Sequence, residues 1–197
     1  MNVKEEKAAL RLECARVRGA IAPSEKEARD EKICRHLGSL AVFRYARKVL
    51  LYYPIRSEVN ILPLMQTALS MGKEVYFPLC HPTKEGVMTF HRVTDAEQLT
   101  KGSFSVPEPS AAAPLYEDDS SLTVCVIPAL AYDREGFRLG YGKGYYDRFL
   151  STYRCTKLGI VYSDFILSEV PRGRFDRRVD ILVTERGIKF ADKQGTK

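Results

Sequence analysis

Leu122-Thr-Val-Cys-Val-Ile-Pro-Ala-Leu130 carries no charge and has β-branched residues at 123, 124, 126 and 127. A strand that buries one face alternates apolar and polar residues, whereas a near-continuous apolar run suits a strand covered on both faces, as in parallel sheets. The segment is therefore read as the central strand. Working outward, Lys48-Val-Leu-Leu-Tyr-Tyr-Pro54 is a second short β-branched and aromatic run. Asn60 is placed to cap a helix over Ile61–Met71, Gly72 to end it, and a strand follows at Glu74–Leu79. Strand, helix, strand in that order, with apolar strands, implies a mostly parallel sheet between helices.

The flanks extend this pattern. Residues 4–21 read as a helix with an apolar stripe of Leu10, Cys14, Val17 and Ile21. Ser24-Glu-Lys-Glu27 has the form of a capping box and opens a second helix ending near Gly38. Gly86–Val93 reads as a strand, 94–121 as a long connection with one helical turn, Gly144–Tyr153 as a helix, and Leu158–Tyr162 and Val179–Thr184 as the last two strands. No internal repeat is present. The expected architecture is one three-layer α/β/α domain over residues 1–197.

Bulk properties bound the function. The chain has 197 residues, 45% hydrophobic and 28% charged, a balance expected of a globular protein. No apolar run approaches the roughly 20 residues of a bilayer span, and the charged Met1-Asn-Val-Lys-Glu-Glu-Lys7 is unlike a secretory signal, so no membrane partner is expected. Five scattered cysteines without a Cys-x-x-Cys pair suit reduced thiols and a cytoplasmic location, and the three histidines show no ligand spacing. The net charge of +6 favours anionic ligands; its scatter lacks the basic stripe of a nucleic-acid binder.

The chemistry-bearing segment is Gly140-Tyr-Gly-Lys-Gly-Tyr-Tyr-Asp147, just beyond the central strand. Three alternate glycines let backbone approach a ligand closely, and a helix begins at once, aiming unpaired N–H groups into the same space. Lys143 and Arg138 add positive charge, and Asp147 is a candidate Mg²⁺ ligand beside a phosphate site. The segment matches neither Gly-x-x-x-x-Gly-Lys-[Ser/Thr] nor Gly-x-Gly-x-x-Gly. As a plain strand-to-helix turn it holds more glycine and charge than a turn needs.

With Pro128-Ala-Leu-Ala-Tyr-Asp133, Gly136-Phe-Arg-Leu-Gly-Tyr-Gly-Lys-Gly-Tyr-Tyr-Asp-Arg148, Lys7-Ala-Ala-Leu-Arg11 and Val179-Asp180, this segment resembles the 5-formyltetrahydrofolate cyclo-ligase family, also called 5,10-methenyltetrahydrofolate synthetase. The resemblance runs nearly the whole chain in order, and the 136–148 block is its specific part. It implies a fold like the sugar-phosphate isomerase and CoA-transferase group. It implies a reaction in which ATP, with Mg²⁺, converts 5-formyltetrahydrofolate, with or without a polyglutamate tail, to 5,10-methenyltetrahydrofolate, ADP and phosphate. Phosphorylation of the formyl oxygen would make it a leaving group for attack by the neighbouring nitrogen.

The residues implied by the resemblance are the following. Lys7, Ala8, Ala9, Leu10 and Arg11, with Arg138, Leu139, Gly140, Tyr141, Gly142, Lys143, Gly144, Tyr145 and Tyr146, match ATP contacts. Tyr53, Glu58 and Tyr141–Tyr145 match folate contacts, Asp147 and Asp180 match metal positions, and Lys143 and Arg138 are the expected catalytic cations. Relatives often carry a small or apolar residue and a glycine where this chain has Ile55-Arg56-Ser57. Without the resemblance, Lys7 and Arg11 read as a solvated helix face, Tyr53 and Glu58 as a strand-end tyrosine and a loop acid, and Asp180 as a strand-edge acid. A monomer or weak homodimer is expected. The competing readings are a non-catalytic nucleotide- or RNA-binding protein on the same fold, and a sugar-phosphate isomerase or acyl transferase, for which no motif is seen.

Overall fold

The computed structural model describes residues 3–102, 105–119 and 122–192, so parts of the long connection and both chain ends lie outside the described residues. The chain begins with helices α1 (Val3–Gly19), α2 (Pro23–Ser39) and the short α3 (Ala41–Tyr45). Strand β1 (Lys48–Leu50), helix α4 (Leu62–Ser70) and strands β2 (Glu74–Cys80) and β3 (Met88–Arg92) follow. The connection holds a two-stranded flap, β4 (Thr100–Lys101) and β5 (Pro107–Glu108). After it come β6 (Thr123–Pro128), β7 (Ala131–Asp133), β8 (Arg138–Leu139), helix α5 (Tyr145–Thr152) and β9 (Thr156–Ile160). The described chain closes with β10 (Ile166–Leu167), β11 (Ile181–Thr184) and β12 (Gly187–Phe190).

The main sheet runs β12-β11-β9-β6-β1-β2-β3. The pairs β11–β9, β9–β6, β6–β1 and β1–β2 are parallel, and only the edge strands β12 and β3 run antiparallel. Residues Thr123–Ile127 of β6 are all buried, so helices and loops cover both faces of the sheet, as the apolar run requires. Val124, Cys125, Val126 and Ile127 are at most 1% exposed, and each such apolar side chain contributes about 1.5–3 kcal/mol on burial. Burial also pushes the Cys125 thiol well up, which makes it an inert packing group. The five cysteines are free. No described helix is long and apolar enough to cross a membrane.

Several elements depart from the sequence expectation. Helix α2 starts at Pro23, a residue whose fixed φ suits a first helical turn, and Ala22 is the cap. Ser24 thus lies inside the helix, and the capping box does not form. In α1 the buried residues are Cys14 and Arg18, while Val17 is 40% exposed. Cys14 is buried and Leu10 and Ile21 pack partly buried against the core, so the stripe forms without Val17, and Lys7, Arg11 and Arg18 turn inward beside it. Val179–Thr184 is not the last strand: β12 returns beside β11 through a tight hairpin. A small sheet, β10-β7-β8, was not foreseen either; its strands have only two or three residues and carry no period to read. The cap of α4 is Ile61, not Asn60, whose side-chain oxygen accepts from Leu62 N at 3.2 Å just before the helix.

Candidate active site

The sheet order reverses at β1. From β1 the chain passes to β2 on one side, and β6 later enters on the other. In open α/β sheets a crevice forms beyond the carboxyl ends of the strands at such a point. A cleft of about 890 Å³ lies there, with Tyr52 and Tyr53 after β1, Pro78 of β2 and Pro128 of β6 in its wall.

One side of the cleft is the glycine segment. β8 ends at Leu139 and α5 begins at Tyr145, with Gly144 at its cap in the left-handed region (φ 71°). No side chain caps the helix, so its first-turn N–H groups are left for a ligand. Gly142 has φ 94°, and a Cβ there would stand 3.1 Å from the Arg11 guanidinium; a side chain would meet both strain and a neighbour. Arg11 Nε donates to Gly140 O at 2.8 Å, so α1 braces the loop. Lys143 Nζ sits 3.0 Å from Glu85 of the β2–β3 connection, an exposed pair that an incoming anion can displace.

Arg138, one of the two expected catalytic cations, is held in place. It is 8% exposed, pairs with Asp147 at 2.7 Å and donates to Arg177 O at 2.7 Å. Asp147 Oδ1 also accepts from Arg177 N at 3.0 Å, so this pair ties the start of α5 to the segment before β11. Lys7, Arg11, Arg138 and Asp147 all line the cleft. Ala9 and Leu10 do not; they face a separate shallow groove with Glu169 and Pro171, and Ala8 is exposed. Asp180 is away from the cleft, paired with Lys157 Nζ at 3.0 Å and accepting from Lys157 N at 2.8 Å. No group of three or more potential metal-binding side chains occurs among the described residues.

The opposite side holds Tyr53 and Glu58. Glu58 is 4% exposed, and its carboxylate accepts from Ile55 N at 3.0 Å. Burial pushes its pKa up to about 7, against the opposing pull of that N–H and of Arg18 and Arg56. Arg56, the departure noted in the sequence, has φ 53° and lies over the Tyr141 ring at 5.4 Å.

Three cleft features escaped the sequence reading. Arg18 is buried behind the Tyr141 loop, where its position seven residues after Arg11 on one helix face was the available signal. Glu108, 5% exposed on the flap, accepts from Cys80 N at 3.2 Å and faces the cleft; its segment read as connection because β5 has two residues. Phe175, 74% exposed, stands at the rim in a stretch with no periodicity.

Comparison with known proteins bears on the family and the fold. The family model described as 5-formyltetrahydrofolate cyclo-ligase family matches residues 3–185. A probable 5-formyltetrahydrofolate cyclo-ligase of Schizosaccharomyces pombe is 29% identical over 86% of this chain and 90% of its own. The 5-formyltetrahydrofolate cyclo-ligase of Haemophilus influenzae is 25% identical over 88% of this chain and 95% of its own. The solved 5,10-methenyltetrahydrofolate synthetase of Aquifex aeolicus superposes with a TM-score of 0.83 at 32% identity, covering 97% of this chain and 96% of that one.

Proposed function

This chain belongs to the 5-formyltetrahydrofolate cyclo-ligase family, and from that premise we propose that its cleft closes the methenyl ring of 5-formyltetrahydrofolate at the expense of ATP. The observation that carries the reading is the meeting of two unlike walls at one switch point: a glycine loop with Lys143, and a buried carboxyl, Glu58, beside Tyr53.

The formyl oxygen attacks the γ-phosphorus of ATP, ADP departs, and the formyl carbon becomes an electrophilic iminium phosphate. The neighbouring amine nitrogen adds to that carbon and gives up its proton, and the C–O bond then breaks to release phosphate. Lys143 and the backbone N–H groups of the loop stabilise the charge that spreads over the transferring phosphoryl oxygens. Lys7 and Arg11, on the inward face of α1, hold the nucleotide phosphates. Glu58, as the carboxylate, accepts hydrogen bonds from the N–H edge of the pterin, and Tyr53 packs on its ring. Arg138 works indirectly by holding Asp147. The loop closes over both substrates and keeps water from the γ-phosphate.

The donor set suits Mg²⁺ that enters with the nucleotide. Such an ion is usually held by one or two carboxylates plus phosphates and water, and Asp147 is a carboxylate at the loop. Asp147 would hold it, and the ion would neutralise phosphate charge.

The test is an absorbance assay for the methenyl product, with ADP measured in parallel. ADP release that depends on 5-formyltetrahydrofolate and matches product one to one is expected. Nucleotide binding without turnover would favour a binding protein, and ADP release without folate an unrelated ATPase; either result overturns the reading.

A further inference from the structure

Arg18 of α1 is 3% exposed, and its guanidinium makes three bonds to three separate segments. Nε donates to Ser57 Oγ at 3.1 Å, Nη1 to Ala129 O at 2.6 Å, and Nη2 to the Tyr141 hydroxyl at 2.9 Å. Ser57 precedes Glu58, Ala129 follows β6, and Tyr141 lies in the glycine loop. Among the described residues no carboxylate stands within salt-bridge distance of Arg18. A buried cation is tolerated only when its donors are satisfied and opposite charge is near. The nearby negative charge is Glu58, whose anion Arg18 favours through space.

We infer that Arg18 is a positioning residue for the proposed reaction: its planar fork fixes the Glu58 loop against the Tyr141 loop, and so sets the folate half of the cleft relative to the phosphate half. Only an arginine suits this place, because three acceptors in different directions match a rigid fork and not the point charge of a lysine. The bonds run to the two cleft-forming loops and the strand end between them. A residue that merely anchored α1 would reach the apolar core instead. The helix that carries Arg18 also carries Lys7 and Arg11 on the same face, so one rigid element bears on both halves.

Glu58 is the reporter. Facing it are Arg18 from α1 and Arg56 from its own loop, both favouring the anion. Tyr52 after β1, Tyr132 of β7, Tyr141 of the glycine loop and Tyr146 of α5 also face it, and burial pushes each of these hydroxyls up, so they stay neutral. Loss of the Arg18 charge therefore has one expected direction.

The experiment compares the full-length protein with Arg18→Gln and Arg18→Lys, each checked for a native circular dichroism spectrum. Glu58 is titrated by carbon-13 carboxyl NMR without ligand, its resonance identified by its loss in Glu58→Gln. Arg18→Gln should move the titration upward by roughly one pH unit and lower kcat/KM for the folate about 10–100-fold. Arg18→Lys should leave the titration near its native position while kcat/KM stays low, since charge returns and the fork does not. A folded Arg18→Gln in which Glu58 titrates as before and kcat/KM stays within about twofold would overturn the inference. If Arg18→Gln does not fold, Arg18→Lys decides, and full activity there would overturn it. The inference rests on the proposed function, yet absence of any turnover in the native protein would count against that function alone, because the titration reads Arg18 without it.

Discussion

Lys143 and Glu85 are 44% and 72% exposed in their side chains, and such a pair contributes about 0–1 kcal/mol. A polyphosphate can therefore take the ammonium from Glu85 at little cost. Lys143→Ala should lower kcat about 10²–10³-fold, read by steady-state turnover, because one charge aimed at the transferring phosphoryl group has that weight. Unchanged turnover would remove Lys143 from the mechanism. Glu58 makes a second prediction. Its carboxyl is raised to about 7 in the fold from an ordinary value of 4.5. Between those values the native protein holds more protons than the unfolded chain, so this group's contribution to stability is present in acid and lost as pH climbs. Relative to Glu58→Gln, the native protein should lose on the order of 3 kcal/mol between pH 5 and pH 8. Denaturant unfolding at both pH values checks this, and equal losses would refute it. At this scale the sequence was legible where chemistry is local: Gly142 and Lys143 announce themselves by type and spacing. Arg18 and the burial of Glu58 do not, because each depends on segments far away in the chain, as with Arg18 and Tyr141, 123 positions apart.

The glycine loop and α1 act as a pair of elements. Gly142 holds a φ of 94° with the Arg11 guanidinium against it. Gly142→Ala would force a non-glycine residue into that conformation, at about 1–3 kcal/mol, and push Arg11 off Gly140 O. The expected result is a KM for ATP raised about tenfold and a melting temperature lower by roughly 2–4 °C for each kcal/mol of strain. A variant with native KM would mean that the loop's conformation does not govern nucleotide binding. Long periodic elements such as α2 and β6 were readable because many residues repeat one message. The stripe of α1 was legible apart from Val17, whereas the inward turn of Lys7, Arg11 and Arg18 was not, because charged residues on a helix face read as solvated. The strands β4, β5, β7, β8 and β10 are too short for any period, and form because larger elements place their backbones side by side.

Across the whole molecule, the two walls of the cleft meet only because β1 and β6 are neighbours in the sheet. The central place of β6 was legible in its apolar run, since parallel strands buried on both faces stack centrally, whereas its pairing with β1 and the edge strand β12 left no comparable mark. With no cluster of three metal-binding side chains among the described residues, metal should matter to turnover and not to the fold. Excess chelator should abolish activity, added Mg²⁺ should restore it, and the melting temperature without nucleotide should stay constant. A chelator-induced drop in melting temperature would instead reveal a structural ion. The ion pair of Lys7 with Asp176 joins residues 169 positions apart across the rim of the cleft. On the ribosome, Lys7 is made 169 positions ahead of Asp176 and must wait for it. A nascent chain can thus assemble β1, α4 and β2 first, yet its nucleotide side stays unfinished until Asp176 has been made, so catalytic competence waits on that residue and is not acquired by degrees.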